Sequence, residues 1–403
     1  MMPSLLLHTA NLLLLLLVSA ASATTIGVTY NASSPKLPPP EHVVSTLQSR
    51  GISAVRLLEP TPAAVRAFAY TNITLLLSVP NDLIPSFAAN RSAASVWLYT
   101  NVLPYHPRAH ISLISAGSDV ITSAATSNPD LDPSTVLLAA MRNLRLSLLD
   151  LGIRTIPVST TFSFIDIMTT SFPPSAAEFQ EPIGNLILRP LLQFLEETNS
   201  SLLVNLYPYN MYRINSEIPI GFVLFQEHPF NFRDDLITGV RYRNLFDMMV
   251  DAVVAAMTVS GHESIPVIVA ETGWPSEYEA RAAGNYAEMY LKGLIKHLRS
   301  GLGTPLRKEG VAEAYIYQLF DEVDSSYNNG RNATTAAAAE MIGGAEAGQH
   351  WGIMYPNMTM KYNVDFSVRK NWMFGHFAEL GMIICTGYIV LVWSVCNLGE
   401  QLK

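Results

Sequence analysis

Eight alternations of a short, continuously apolar run with a helix-patterned segment, spread over roughly 350 residues, predict an α/β chain folded as a closed (β/α)8 TIM barrel. Two further observations narrow the choice. The runs are apolar throughout instead of alternating with polar residues, the pattern of strands buried on both faces of a parallel sheet. No run is followed by a glycine-rich phosphate loop, so the alternative, a doubly wound open sheet, lacks its usual ligand signature. No internal repeat of 20–50 residues is present.

The elements follow in order. Ile26–Tyr30 is the first strand, closed by a loop with Pro38-Pro39-Pro40 and followed by a helix over Glu41–Arg50. Ser53–Leu58 is the second strand, and Pro62–Tyr70 is Ala-rich and helical. Ile73–Val79 reads as a buried strand, with helical stretches through Val102. Ile111–Ala116 is the fourth strand, and Pro133–Leu151 has apolar residues at helical spacing. Thr155–Thr160, Leu202–Tyr207, Pro266–Ala270 and Ala314–Phe320 complete the eight. Helices over Leu188–Thr198, Leu245–Met257 and Ala282–Arg299 separate the later strands. Asn328–Gly348, with its Ala336–Ala339 run, reads as an exposed low-complexity loop.

Composition excludes several functions. Of 403 residues, 49% are hydrophobic and 14% charged, which rules out a disordered polar chain. A net charge of -8 without any Lys/Arg run argues against nucleic acid as a partner. Both cysteines, Cys385 and Cys396, sit near the end, so the body holds no disulfide framework, thiol nucleophile or Cys-ligated zinc. The histidines lack i, i+4 pairing, and no G-x-S-x-G elbow occurs, so neither a metal centre nor a serine triad is expected. No cofactor is called for, and a monomer is expected.

The ends carry addressing signals. Residues 1–23 hold the Leu12–Leu17 run and end in Ala21-Ser22-Ala23, the pattern of a cleaved signal peptide, with the n-region departing from type in having no Lys or Arg. The mature barrel domain is then residues 24–366, followed by a tail over 367–403. Six N-x-S/T sequons, at Asn31, Asn72, Asn90, Asn199, Asn332 and Asn357, suit a glycosylated secretory protein at the cell wall or the outer face of the plasma membrane. Leu380–Leu398 is an uncharged run long enough to cross a bilayer. A single-span anchor, a glycolipid signal removed in processing and an incidental apolar tail are the three readings of it.

Chemistry gathers where strands end, which in such barrels is the catalytic face. The fourth strand leads into Gly117-Ser118-Asp119, the sixth into Asn205-Leu206-Tyr207-Pro208-Tyr209, the seventh into Glu271-Thr272-Gly273-Trp274, and the eighth into Asp321-Glu322. Carboxyl groups facing one another across a barrel mouth, with aromatic rings around them, suit glycosidic cleavage: one protonates the leaving oxygen while the other attacks the anomeric carbon. Tyr30, Tyr207, Tyr209 and Trp274 are the rings offered for stacking on sugar faces. Each residue also has a plainer reading. Asp119 taken alone reads as the cap of the next helix, and rings near strand ends are more often packing than ligand contacts. Glu271 stands apart, because a carboxylate that closes an entirely apolar run has to be satisfied or functional.

These motifs carry a resemblance. Val267–Ser276, with its Glu-Thr-Gly-Trp-Pro-Ser core, resembles the nucleophile signature of plant glycoside hydrolase family 17, the glucan endo-1,3-β-glucosidases. The likeness runs through Ile26-Gly27-Val28 with Tyr30, Leu37-Pro38, Asn205 with Tyr207-Pro208-Tyr209, Asn244–Asp247, Gly303–Arg307, Phe320-Asp321-Glu322, and Trp351-Gly352 with Tyr355-Pro356-Asn357. It implies a β-1,3-glucan substrate in an extended cleft, retaining chemistry and Glu271 as nucleophile. Ser118, Asn205, Glu322 and the four rings are implied at the substrate. The sequence also departs from the pattern. The family's Gly-Asn-Glu-Val segment reads Gly117-Ser118-Asp119-Val120 here, so the acid is one methylene shorter and its Asn neighbour is Ser. A Lys expected after Glu322 is Ser325, the Phe after Tyr-Pro-Tyr is Asn210, and a Glu expected before Trp351-Gly352 is Gly348. Two readings therefore stand, a working though slowed endo-glucanase with Asp119 as proton donor, and a catalytically weak glucan-binding relative at the cell surface.

The tail readings separate by fractionation. An anchor formed by 380–398 keeps the chain in the membrane pellet after carbonate extraction, and deletion of 380–403 releases it. Release of the full chain by phosphatidylinositol-specific lipase identifies the glycolipid signal instead, and a freely soluble full-length chain excludes both.

Overall fold

The structure, a computed structural model, describes residues 24–33, 36–120, 133–215, 217–276, 285–321 and 350–367, the side chains of 133–135 excepted. The signal segment, the Asn328–Gly348 loop, Glu322 and the apolar tail lie outside the described residues. The chain divides into two units, Met1–Asp365 and Phe366–Lys403; the first is the barrel, and of the second only Phe366 and Ser367 are described.

Eight parallel strands close on themselves: β1 (Thr25–Tyr30), β2 (Ala54–Leu57), β3 (Thr74–Val79), β4 (His110–Ser118), β5 (Val158–Ser163), β6 (Leu202–Asn205), β9 (Val267–Thr272) and β10 (Glu313–Ile316). Closure is made by β1 against β10, with Gly27 opposite Tyr315 and Val28 opposite Ile316. The lumen is filled by Ala54, Leu76, Leu113, Leu203, Ile268, Ala270 and Tyr315, all buried. Gly27 is required there, because a Cβ on it would stand 2.6 Å from the Tyr315 ring. The right-handed crossovers demanded by parallel neighbours are supplied by the helices between the strands. The helix Leu245–Val259 is apolar on nearly every side and correspondingly buried, with Asn244 capping it by accepting from the Asp247 amide at 2.7 Å.

The expected strands match the observed ones with instructive shifts. Thr155–Thr160 slides to Val158–Ser163, because the hydroxyls of Ser159, Thr160 and Thr161 are buried by bonding outward from their own strand. Ser159 Oγ donates to Ser201 O at 2.6 Å, and Thr160 Oγ1 to Ala116 O at 2.8 Å. A polar stretch thus makes a buried strand that an apolar-run criterion places too early. The eighth strand is regular only over Glu313–Ile316, although Tyr317 and Leu319 still donate to Thr272 O and Thr29 O at 2.8 Å. One feature is unanticipated: an antiparallel hairpin, β7 (Arg233–Asp235) and β8 (Val240–Tyr242), inserted between β6 and the helix Leu245–Val259. Three-residue strands rich in charge carry little periodic signal. The hairpin is pinned to the segment after β5 by Ser175, whose hydroxyl donates to Asp235 Oδ1 at 2.8 Å.

A second buried carboxyl lies away from the strand ends. Asp251 accepts the Thr304 hydroxyl and, at 2.9 Å, the Leu306 amide, tying its helix to the Gly303–Arg307 loop. Burial pushes Asp251 up to about 6 against the pull of those two donors. Protonation at this site therefore favours the folded state: its contribution is complete below the ordinary carboxyl range and is lost as pH rises through about 6. Asp234 and Asp235, whose pKa values are lowered by hydrogen bonds, act in the opposite sense, but only in acid below the ordinary range. The melting temperature is accordingly expected to rise as pH falls from 7.5 to 5, and Asp251→Asn is expected to flatten that slope in differential scanning fluorimetry.

Candidate active site

The site is built around an arginine. Arg56 lies in the middle of β2, in the run Ala54-Val55-Arg56-Leu57, with 0% exposure. A guanidinium cannot shed its proton in such a place, so it has to be met by charge and acceptors. Its Nη1 donates to Glu271 Oε1 at 2.5 Å and to Ala270 O at 3.2 Å. Its Nε donates to Ser78 Oγ at 3.2 Å, and Nη2 donates to Ser118 Oγ at 3.2 Å and Thr161 Oγ1 at 3.4 Å. Five strands, β2, β3, β4, β5 and β9, therefore meet at one side chain.

Glu271 ends the apolar part of β9, the strand that continues only to Thr272, and is 8% exposed. Its second oxygen, Oε2, accepts the Tyr207 hydroxyl at 2.7 Å. Burial and the neighbouring Glu271 charge drive the Tyr207 phenol well above its ordinary range, so it remains a donor. Both Glu271 oxygens are thus held, one by a cation and one by a hydroxyl, on opposite sides of the carboxylate.

Asp119 stands just past the end of β4, on a backbone that curls. Gly117 has φ +74° and Asp119 φ +51°, and a Cβ at Gly117 would stand 2.4 Å from Val120 Cγ2. The curl is clamped by Asn81, which accepts from the Ser118 amide and donates to Ser118 O, each at 2.8 Å. The Asp119 amide donates to Thr161 O at 2.9 Å. Its carboxyl turns toward β6, where Asn205 Nδ2 donates to Oδ2 at 2.9 Å, while Oδ1 is buried and finds no hydrogen-bond partner among the described residues. Burial and the like charges of Glu271 and Asp166 raise Asp119 to about 7, with Asn205 and Arg56 pulling the other way. A carboxyl that keeps its proton to about neutrality, opposite one that carries the counter-charge to a buried Arg, is the division of roles acid–base chemistry needs.

The rings differ from the expectation of open stacking platforms. Tyr30, Trp274, Tyr207 and Tyr209 are 2%, 3%, 4% and 5% exposed. They pack edge to face instead: Tyr209 on Trp274 at 5.0 Å, and Tyr207 and Tyr209 on Trp351 at 5.3 and 5.6 Å between ring centres. Tyr30 meets Phe320 at 6.1 Å. Trp351 is the hub of this shell, and its own segment is fastened through Asp321, which accepts the Gly352 amide at 2.8 Å and pairs with Lys361 at 2.6 Å.

Of the residues singled out in the sequence, the structure brings Ser118, Asp119, Asn205, Tyr207 and Glu271 into one hydrogen-bonded cluster, with Tyr209 and Trp274 in the adjoining shell. Tyr30 stands at the closing seam of the barrel, and Glu322 lies outside the described residues. Sequence reasoning missed Arg56, Thr161, Asp166 and the hub role of Trp351. Arg56 was findable by the argument applied to Glu271, since a charge inside an apolar run needs an answer.

Two unlike carboxyls at the strand ends of a parallel barrel form the arrangement that glycoside hydrolases use. The sequence profile of glycosyl hydrolases family 17 matches residues 26–366, and the chain belongs to that family. Among its relatives is the Arabidopsis thaliana "Glucan endo-1,3-beta-glucosidase 13", 34% identical over 365 residues, covering 89% of this chain and 67% of the relative. The barley (Hordeum vulgare) "Glucan endo-1,3-beta-glucosidase GII" is 35% identical, covering 86% of this chain and 93% of the relative. Two further Arabidopsis relatives are matched over 60% of their length, so the chain spans about two thirds or less of these longer proteins. The solved structure of "CJP38, a beta-1,3-glucanase and allergen of Cryptomeria japonica pollen" superposes with a TM-score of 0.74 at 31% identity, covering 86% of this chain and all of the other.

The Arg56–Glu271 pair is testable by its asymmetry. Arg56→Met leaves Glu271 buried without its cation and is expected to lower stability by about 3–5 kcal/mol. Adding Glu271→Gln should recover most of that loss in urea titrations, because the orphaned charge is then gone.

Proposed function

We propose that this chain hydrolyses internal β-1,3-glucosidic bonds of wall glucans with retention of configuration, Glu271 acting as nucleophile and Asp119 as acid and base. The observation that carries the reading is the contrast between the two carboxyls: Glu271 is gripped by Arg56 and Tyr207, while Asp119 is held protonated to about 7. In the first step a Glu271 oxygen bonds to the anomeric carbon, the glycosidic C–O bond breaks, and the Asp119 proton passes to the departing oxygen. In the second, water attacks the same carbon, its proton goes to Asp119, and the ester to Glu271 breaks. Ser118, Asn205, Tyr207 and Glu322 are assigned to substrate contact, and the packed rings Tyr30, Tyr209 and Trp274 to the shell behind them. The names of the relatives support β-1,3-glucan as the substrate.

The domain reading follows the sequence: a signal peptide over 1–23, the hydrolase barrel over 24–366, and the tail over 367–403, with passage through the secretory pathway. Supporting this, Asn72, Asn90, Asn199 and Asn357 are exposed and open to glycans, and Asn31 is half-buried. Among the described residues no helix is long and apolar enough to cross a membrane.

Mutants separate this reading from that of a glucan-binding relative. Glu271→Gln is expected to abolish release of reducing ends from laminarin while leaving glucan binding largely intact. Protonation by a placed acid is worth roughly 10²–10⁴-fold, so Asp119→Asn should slow laminarin cleavage on that scale, and an activated aryl glucoside far less. Restoring reach with Asp119→Glu, together with Ser118→Asn, should raise laminarin turnover by roughly tenfold or more. Tight glucan binding by a wild-type chain that releases no reducing ends supports the binding reading. Brisk cleavage by wild type that Asp119→Asn leaves unchanged moves the acid elsewhere, with Glu322 next in line.

A further inference from the structure

One of the exposed sequons closes a hairpin turn. Tyr355-Pro356-Asn357-Met358-Thr359 joins two short antiparallel arms that pair at Met354 and Met360. Pro356 supplies the fixed φ that the first corner of a tight turn asks for, and Asn357 follows it. The Met358 amide donates to Tyr355 O and the Tyr355 amide to Thr359 O, both at 2.9 Å, with Met358 left-handed at φ +68°. The turn thus carries one bulged residue, and Tyr355 and Thr359 stand opposite each other at its base. Met354 is fully buried and side chains alternate along each arm, so Tyr355 and Thr359 share the outer face. Asn357 is drawn to the same side, because its Oδ1 accepts the Thr359 amide at 3.0 Å and the Thr359 hydroxyl at 2.6 Å. Its Nδ2, the atom that bears an N-linked sugar, has no partner among the described residues. Tyr355 is 50% exposed, with Lys361 Nζ over one face 5.5 Å from the ring centre, so the opposite face is open. Spacing alone does not make this arrangement. Tyr70, Asn72 and Thr74 repeat it, but Thr74 opens β3 and gives its amide and hydroxyl to Ser53 O, at 2.9 and 3.1 Å, and not to its asparagine.

We propose that Asn357 carries an N-linked glycan whose first sugar, an N-acetylglucosamine, sits on the open face of Tyr355 and against the Thr359 methyl, as a structural part of the hairpin. The inference rests on the reading of the chain as a secretory protein. In the transfer, Asn357 Nδ2 bonds to the anomeric carbon of an oligosaccharide carried on a lipid diphosphate. The bond from that carbon to the phosphate oxygen breaks, the lipid diphosphate leaves, and one Nδ2 proton passes to solvent. Oδ1 keeps its two acceptor bonds, so the amide gains its sugar without undoing the turn. The reach is short. Tyr355 and Asn357 are two residues apart, so their Cα atoms lie at most about 7 Å from each other, and the turn brings them closer. The C–H groups on one side of the sugar and in its acetyl methyl then meet the negative face of the Tyr355 ring. Lys361, held by Asp321 at 2.6 Å, backs that ring from the other side. Asp321 also accepts the Gly352 amide, so the seated sugar braces the segment that fastens Trp351.

The test places the sugar relative to the ring. Full-length protein is made in a eukaryotic host that leaves high-mannose glycans, with ¹³C in the acetyl groups of those glycans. Endoglycosidase H then leaves one N-acetylglucosamine on each occupied asparagine. The Asn357 acetyl methyl signal is identified by its loss in Asn357→Gln. An aromatic ring shields protons above its face, so that signal is expected upfield of those from the other occupied sequons, with a nuclear Overhauser contact to the Tyr355 ring. Tyr355→Leu should return it to the position of the others, and Tyr355→Phe, which keeps the ring face, should leave it upfield. An occupied Asn357 whose methyl is unshifted and out of contact with the ring overturns the inference and leaves the secretory reading standing. An empty Asn357 beside other glycosylated sequons does the same. Absence of glycan from every sequon removes the secretory reading and the inference together. The Overhauser contact is read on wild type, so the outcome is decided even where Tyr355→Leu does not fold.

Discussion

An arginine locked inside the barrel at zero exposure sets the terms on which everything around it is built, because it cannot be neutralised and has five donors to satisfy. Its answers come from Ser78, Ser118, Thr161, the Ala270 carbonyl and Glu271, so the strands carrying them are held in one register by a single guanidinium. The apolar filling of the lumen by Leu76, Leu113, Leu203 and Ile268 supplies cohesion without direction. Direction comes from the polar layer above it. Until all five strands are in place Arg56 has orphaned donors, so this layer also favours the complete barrel over partial ones.

The same layer orients the chemistry. Glu271 is fixed at both oxygens, and the residues that fix it are fixed in turn: Tyr207 is wedged at 5.3 Å against Trp351, and Trp351 is fastened through Gly352 to Asp321. Rings packed edge to face in this way spend their faces on one another, which explains why so many aromatics at a barrel mouth leave so little ring exposed. Their value to the site is stiffness, since a carboxylate held at both oxygens keeps its place only if the residues holding it keep theirs.

The fold was legible in the sequence because parallel barrel strands are apolar on both faces, and seven of the eight runs fall close to the observed strands. The misplacement of β5 has a physical reason: its buried positions are filled by Ser and Thr whose hydroxyls bond to neighbouring backbone, a satisfaction that no hydropathy pattern displays. The hairpin was illegible for a related reason, being too short and too charged to show a period. At the site, Glu271 and the Tyr207-Pro208-Tyr209 segment were readable as interruptions and motifs. Arg56 was passed over although it interrupts its run in the same way as Glu271 does. The clustering of Thr161 and Asp166 with Asp119 depends on which strands are neighbours in space, and no local pattern of residues encodes that.

The left-handed backbone at Asp119 has a consequence for how this position is able to change. Asp and Asn are among the few side chains that tolerate a φ near +51°, whereas a longer acid at the same place bears a conformational penalty on the order of 1 kcal/mol. An Asp at this place therefore gives up reach for backbone ease, and Asn81 clamps the curl from the Ser118 side. On the proposed role of Asp119, a lineage that drifted to Asp here would gain stability as it lost speed, and return to the longer side chain would be opposed by the fold even where catalysis favoured it.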